Sequence, residues 1–138
     1  MSTTKPLALV TGASRGLGAA IAERLAKDGY LVALNFASNE TKALELKAKI
    51  EGDGGAAVLA KFDVSDSAAV DAAIESLTTA HGPVVCLVAN AGITLDALLM
   101  RMKNEDLDRT LDVDLKGAIY CARAASRGMM KARQGSMI

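Results

Sequence analysis

The sequence predicts an α/β fold, a doubly wound parallel sheet holding four strands and the start of a fifth. Three observations carry this prediction. Short apolar runs alternate with segments of helical period along the whole chain, a glycine-rich turn joins the first run to the first helix, and the fourth run contains no charge. Strands linked by helical crossovers must pair in parallel, and a strand covered on both faces has no polar side.

Taken in order, Leu7 to Val10 is the first run, closed by Thr11-Gly12. Leu17, Ile21 and Leu25, four apart, predict a helix ending at Asp28-Gly29, and Tyr30 to Leu34 is the second run. Ala43, Leu46 and Ile50 share a helix face up to the glycines around Asp53, and Ala56 to Phe62 is the third run, closed by Asp63. Val70, Ala73, Ile74 and Leu77 form an amphipathic stripe at i, i+3, i+4 and i+7. Val84 to Ala89 is the fourth run. Leu95, Leu98, Leu99 and Met102 repeat the helical spacing, and a longer stripe is expected through Leu111, Leu115, Ala118, Ile119 and Ala122. Ser136-Met137-Ile138 stands where a fifth strand begins.

The 138 residues are 51% hydrophobic and 23% charged, with 16 basic and 16 acidic residues and no formal net charge. That composition excludes disorder, and it lacks the basic excess that nucleic acid or an anionic membrane surface requires. Cys86 and Cys121 have no Cys-x-x-Cys spacing and read as buried hydrophobes, while His81 reads as a helix C-terminal residue. No metal site is expected. Met1 to Pro6 does not read as a signal peptide and no apolar segment approaches a membrane span, so a cytoplasmic protein is expected. The expected organisation is a single dinucleotide-binding domain over residues 1–138, incomplete at its C-terminus.

The turn Thr11-Gly12-Ala13-Ser14-Arg15-Gly16-Leu17-Gly18 sits between strand and helix, as a Rossmann-like phosphate site requires. Its glycines permit a tight turn and close approach of a pyrophosphate, which the helix N-terminus then receives. At the end of the second strand, Asn35-Phe36-Ala37-Ser38-Asn39 carries no carboxylate before Glu40. A carboxylate there would bind a free ribose 2′-hydroxyl and repel a 2′-phosphate. Its absence, with Arg15 within reach and Asn35 and Ser38 able to hydrogen-bond, favours NADP over NAD.

These residues resemble the short-chain dehydrogenase/reductase family. Gly12, Ser14, Arg15, Gly16, Leu17 and Gly18 resemble its cofactor motif, with Asn35, Phe36 and Ser38 completing the ribose end. Asp63-Val64 resembles its adenine contact, and Asn90-Ala91-Gly92 its motif after the fourth strand. The run from Asn90 through Met100-Arg101-Met102-Lys103, with Gly128-Met129-Met130-Lys131, is closer to the 3-oxoacyl-[acyl-carrier-protein] reductases. The resemblance implies NADPH-dependent reduction of a carrier-bound 3-oxoacyl thioester in fatty acid synthesis, by a homotetramer. It also implies a Ser, and a Tyr followed four residues later by Lys. Tyr30 is followed by Leu34 and Tyr120 by Ala124, so neither is that Tyr. The chain alone is therefore expected to lack the catalytic acid.

The sequence departs from the family pattern in three places. Ala89 replaces an Asn, Val84-Val85-Cys86 stands where an Asp is usual, and Asp114 occupies the family's catalytic Asn position. As a catalytic candidate Asp114 would raise a neighbouring lysine's pKa. From Leu115 to Ile138 the chain has five basic residues and no acidic one, and Arg123, Arg127 and Lys131 line one helix face. The resemblance makes that face a candidate dock for acidic acyl carrier protein. Two alternatives remain: a reductase of another ketone, and an inactive dinucleotide-binding module. With later strands missing, Val84 to Ala89 is expected to be an exposed edge, and the isolated chain not a stable monomer.

Overall fold

A computed structural model describes residues 4–138, so part of the Met1 to Pro6 reading lies outside the described residues. Five parallel strands, β1 (Leu7–Val10), β2 (Leu31–Phe36), β3 (Ala56–Lys61), β4 (Val84–Val88) and β5 (Ser136–Met137), lie in the order β3-β2-β1-β4-β5. Helices α1 (Gly16–Lys27) and α2 (Glu40–Gly52) cover one face of the sheet. The other face is covered by α3 (Ser67–His81) and α5 (Gly117–Ala132), while α4 (Asn104–Leu111) leads into α5.

Alternation along β1 divides the core. Leu7 and Leu9 pack on the α3–α5 side, and Ala8 and Val10 on the α1–α2 side. All five β4 residues are buried, as a strand covered on both faces requires. Cys86 and Cys121 are free, buried and on opposite faces of the sheet; burial pushes the Cys121 thiol up to about 11 and raises Cys86 as well. Two helices, α2 and α3, start at side-chain caps. Asn39 Oδ1 accepts from Lys42 N at 3.3 Å, and Asp66 Oδ1 accepts from Ala69 N at 3.2 Å. His81 is the last residue of α3, before Gly82 at φ 90°.

Several helix faces differ from expectation. In α1 the buried residues are Gly18, Ala22 and Ala26, whereas Leu17 is 77% exposed and Ile21 and Leu25 flank the contact. Small residues let the helix axis approach the sheet, so the larger side chains are displaced to its sides. The α2 face is the expected Ala43, Leu46 and Ile50. The Leu95 to Met102 spacing forms no α-helix. The chain there is irregular apart from one 3-10 turn at Leu99–Arg101, with Leu98, Leu99 and Met100 exposed. On α5 the buried residues are Gly117, Cys121, Ala125 and Met129, so Leu111, Leu115 and Ile119 point outward. A π-helical turn at Asp112–Lys116 joins α4 to α5. There Val113 faces inward and Gly117 lies against Val64, so the buried row runs Val113, Gly117, Cys121, Ala125 and Met129, mostly small residues, and not along the leucines that spacing selects.

The expected open edge at Val84 to Ala89 is also corrected. β5 pairs there, matching Cys86 with Ser136 and Leu87 with Met137. Ile138 N donates to Leu87 O at 2.9 Å and Ala89 N to Ile138 O at 2.7 Å, so the final three residues cover the upper half of that edge. No helix among the described residues is long and apolar enough to cross a membrane.

Candidate functional site: a crevice at the carboxyl ends of the strands

The sheet order reverses beside β1. The chain runs outward from β1 to β2 and β3 on one side, then returns to place β4 on the other. Loops leaving β1 and β4 therefore diverge, and a crevice opens between them at the strands' carboxyl ends. It has a volume of about 640 Å³ and is lined by the glycine turn, the end of β2, Phe62 to Val64, Asn90 to Ile93, Arg109 and Val113.

The glycine turn is held by hydrogen bonds to two strands, β2 and β4, and to the loop after β4. Thr11 N donates to Val88 O at 3.0 Å, and Thr11 Oγ1 accepts from Ala91 N at 2.9 Å. Gly12, at φ 60°, donates to Asn35 Oδ1 at 3.0 Å, and a Cβ there would lie 2.9 Å from Ala91 Cα. A Cβ on Gly18 would meet Gly12 O and lie 2.5 Å from Asn90 Nδ2. These two glycines let the turn, the start of α1 and the loop after β4 close together. Arg15 stands at the N-cap of α1 with extended backbone and no side-chain cap bond, and it forms no ion pair among the described residues. Its guanidinium, the adjacent N–H groups and the positive helix end share the crevice rim with Ser14, Gly16 and exposed Leu17.

Asn35 has a different job from the one expected. Its Nδ2 donates to Ala60 O at 3.1 Å and Phe62 O at 3.0 Å, and its side chain is buried. With both amide protons committed and Oδ1 on Gly12 N, it ties β2 to β3 and the turn and is not free to donate to a 2′-phosphate. Phe36 is buried at the crevice end of β2, and Ser38 is exposed on the lip. The first carboxylate, Glu40, lies in the first turn of α2, where the helix dipole favours it.

Asp63 Oδ1 accepts from Ser65 N at 2.9 Å and Ser65 Oγ at 2.7 Å. Those two bonds, more than the nearby Arg109, hold its carboxyl below the ordinary aspartate range. The remaining oxygen, Oδ2, has no protein partner among the described residues. Val64 is buried beside it and forms apolar floor together with Val113. On the opposite wall, Asn90 Nδ2 donates to Thr11 O at 3.0 Å and Gly12 O at 3.1 Å, with Ala91 and Gly92 continuing the lining.

Asp114, in the π-helical turn, accepts from Ile93 N through Oδ1 at 2.8 Å and lies 3.4 Å from where a Cβ on Gly92 would stand. Its observed contact fixes the loop after β4. An Asn could make the same bond through its own oxygen; the carboxylate has no donor to add. No tyrosine or lysine lines the crevice among the described residues. Arg109 and Val113, four apart and both facing the crevice, are site residues the sequence reading passed over. Their shared helical spacing after Asn90-Ala91-Gly92 is the signal that could have found them.

Elsewhere, Arg123 and Arg127 line a separate groove of about 550 Å³ whose α3 wall carries Asp71 and Glu75. The face is therefore of mixed charge. Arg123 also lies 5.3 Å from the centroid of the Tyr120 ring, and Lys131 is exposed beyond the groove.

Residues 6–138 match the family model described as short chain dehydrogenase. The chain is 42% identical over its full length to a 3-oxoacyl-[acyl-carrier-protein] reductase of Staphylococcus aureus, covering 56% of that protein. It is 41% identical over 135 residues to one from Synechocystis, covering 98% of this chain and 55% of the relative. The chain thus spans about half the length of the curated relatives it matches. Among solved structures, a metagenomic short-chain oxidoreductase in complex with NADP superposes with a TM-score of 0.91 at 36% identity, covering 99% of this chain and 62% of the other. A gluconate 5-dehydrogenase from Burkholderia cenocepacia in complex with NADP and tartrate gives 0.89 at 35% identity, covering 98% and 52%.

Proposed function

The chain belongs to the short-chain dehydrogenase family, and from that premise we propose that it forms the NADP-binding part of a reductase acting on 3-oxoacyl thioesters carried by acyl carrier protein. The observation that carries the cofactor reading is the crevice itself. Gly12 and Gly18 leave a cradle that a Cβ would fill, Arg15 is uncommitted at its rim, and the end of β2 bears no carboxylate before Glu40.

NADPH supplies a hydride when bound. The chain's own contribution is binding and orientation. N–H groups at the start of α1 and the Arg15 guanidinium would meet phosphate, with Ser38 beside the 2′-phosphate. Asp63, ionised at neutral pH, can accept from an exocyclic amine through Oδ2, and Val64 offers apolar contact. Asn90, Ala91 and Gly92 would border the ribose. Asp114 holds the Ile93 amide and so keeps that wall in place, a positioning role at the family's catalytic Asn. The 3-oxoacyl substrate rests on similarity to the carrier-protein reductases, as do the cytoplasmic setting and homo-oligomeric state. The exposed row Leu107, Leu111, Leu115 and Ile119 is consistent with self-association. A second reading, a dinucleotide-binding module without turnover, draws on a crevice whose lining among the described residues holds neither Tyr nor Lys.

Titration calorimetry tests the cofactor assignment. NADPH is expected to bind at least about tenfold more tightly than NADH. Arg15→Ala should weaken NADPH about 10- to 100-fold, the worth of a hydrogen bond to a charged group, and leave NADH nearly unchanged. Equal or tighter NADH binding by the unaltered chain overturns the assignment. Turnover of a 3-oxoacyl thioester by this chain would dismiss the module reading.

A further inference from the structure

Arg109 is a cation at the purine end of the crevice with no assigned task. It lies in the last turn of α4, exposed and without an ion pair among the described residues. Arg109 and Val113 are four apart and both line the crevice, so the two residues sit about one helical turn from each other, the valine buried. Asp63 lines that end too, with Oδ1 fixed by Ser65 and Oδ2 unshared. Arg15 and Ser38, the groups suited to a 2′-phosphate, belong to the glycine turn and the end of β2, on different elements from α4. A planar heterocycle with an exocyclic amine matches what this end offers: an apolar floor, one carboxylate oxygen and a planar cation. Guanidinium planes stack on π faces, which an ammonium does less well.

We propose that Arg109 is a base-binding residue, its guanidinium lying against the purine whose exocyclic amine Asp63 accepts. This rests on the dinucleotide reading above. Asp63 is oriented by Ser65 rather than paired with Arg109, so the guanidinium is available to the base. The field of Arg109 on Asp63 is a minor one, consistent with proximity short of an ion pair.

The test measures dissociation constants of NADPH and NADH for the unaltered chain, Arg109→Ala and Arg109→Lys. Both cofactors carry adenine, so Arg109→Ala should weaken both by the same factor, about 3- to 30-fold. Arg109→Lys should recover only part of the loss. Binding of neither cofactor by the unaltered chain would remove the dinucleotide reading and this assignment with it. Normal binding by the unaltered chain with Arg109→Ala unchanged would remove the assignment alone. Loss confined to NADPH would put Arg109 on the 2′-phosphate and overturn it, as would full recovery by Lys. Because Arg109 is exposed, its variants are expected to melt with the unaltered chain.

Discussion

Replacing Gly18 by Ala tests the physical claim on which the crevice depends. The added Cβ would meet Gly12 O and lie 2.5 Å from Asn90 Nδ2, with Ala13 Cα at 3.1 Å. Neither the turn carbonyl nor Asn90 can retreat easily, since Asn90 Nδ2 bonds both Thr11 O and Gly12 O. Overpacking of this kind costs about 1–3 kcal/mol, and each weakened hydrogen bond about 1 kcal/mol more. The better helix propensity of Ala offsets about 1 kcal/mol. The expected net loss is about 2–4 kcal/mol, or a melting temperature lower by roughly 8–16 °C for a domain of this size. Gly52→Ala is the control. It ends α2, has nothing within 4 Å of the added Cβ and no left-handed backbone, so it should gain up to about 1 kcal/mol. Thermal melting followed by circular dichroism, with NADPH affinity measured in parallel, reads both variants. A Gly18→Ala chain melting within about 2 °C of the unaltered one, with NADPH affinity intact, would refute the close-approach argument.

The remaining predictions concern charge and chemistry. Asp63 should titrate below the free-aspartate value of about 3.9 in a carbon-detected NMR experiment, and Ser65→Ala should move its midpoint upward. A depressed carboxyl contributes stability above the unfolded-state pKa and loses it as pH falls through the folded-state value, so any Asp63 contribution disappears only in acid. An unmoved midpoint in Ser65→Ala would contradict the assigned cause. At pH 8 a thiol near 11 is only about one part in a thousand thiolate, so Cys121 should resist alkylation when folded and react once denatured. Rapid labelling of the native chain would show that the core opens. If the α5 face docks an acidic carrier, Arg127→Glu with Lys131→Glu should abolish salt-sensitive binding of acyl carrier protein. Undiminished binding would assign the carrier elsewhere, and the acidic α3 wall at Asp71 and Glu75 makes that comparison informative.

Much of the fold was legible because its signals are local. A strand buried on both faces must be a continuous apolar run, as Val84 to Val88 is, and a turn receiving phosphate needs glycine where a Cβ cannot fit. The glycine turn was legible for the same reason, whereas Asp63-Val64 and Asn90-Ala91-Gly92, which also line the crevice, were read through the family resemblance. Helix faces were less legible. Hydrophobic spacing picked Leu17, Ile21 and Leu25 in α1, but close packing on a sheet selects Gly18, Ala22 and Ala26. On α5 the buried residues are Gly117, Cys121, Ala125 and Met129, and small residues chosen for close packing carry little weight in apolar spacing.

By itself the sequence determined the apolar strand runs, the strand–helix alternation that implies parallel pairing, and the place of the phosphate turn, because apolar runs and turn glycines are local signals; it did not place α4. Tertiary structure alone decided what Asn35, Asp114, Arg109 and the final strand do. Asn35 could be a ribose ligand or a strut until Ala60 O on β3, Phe62 O just after it and Gly12 N were seen to commit both its amide donors and to bond its oxygen. Asp114 became a loop anchor through Ile93, 21 residues away, and Ser136–Met137 became a partner for β4 across the intervening helices. Such roles depend on which groups from distant segments arrive within about 3 Å, and a hydrogen bond at that range is set by packing of the whole chain.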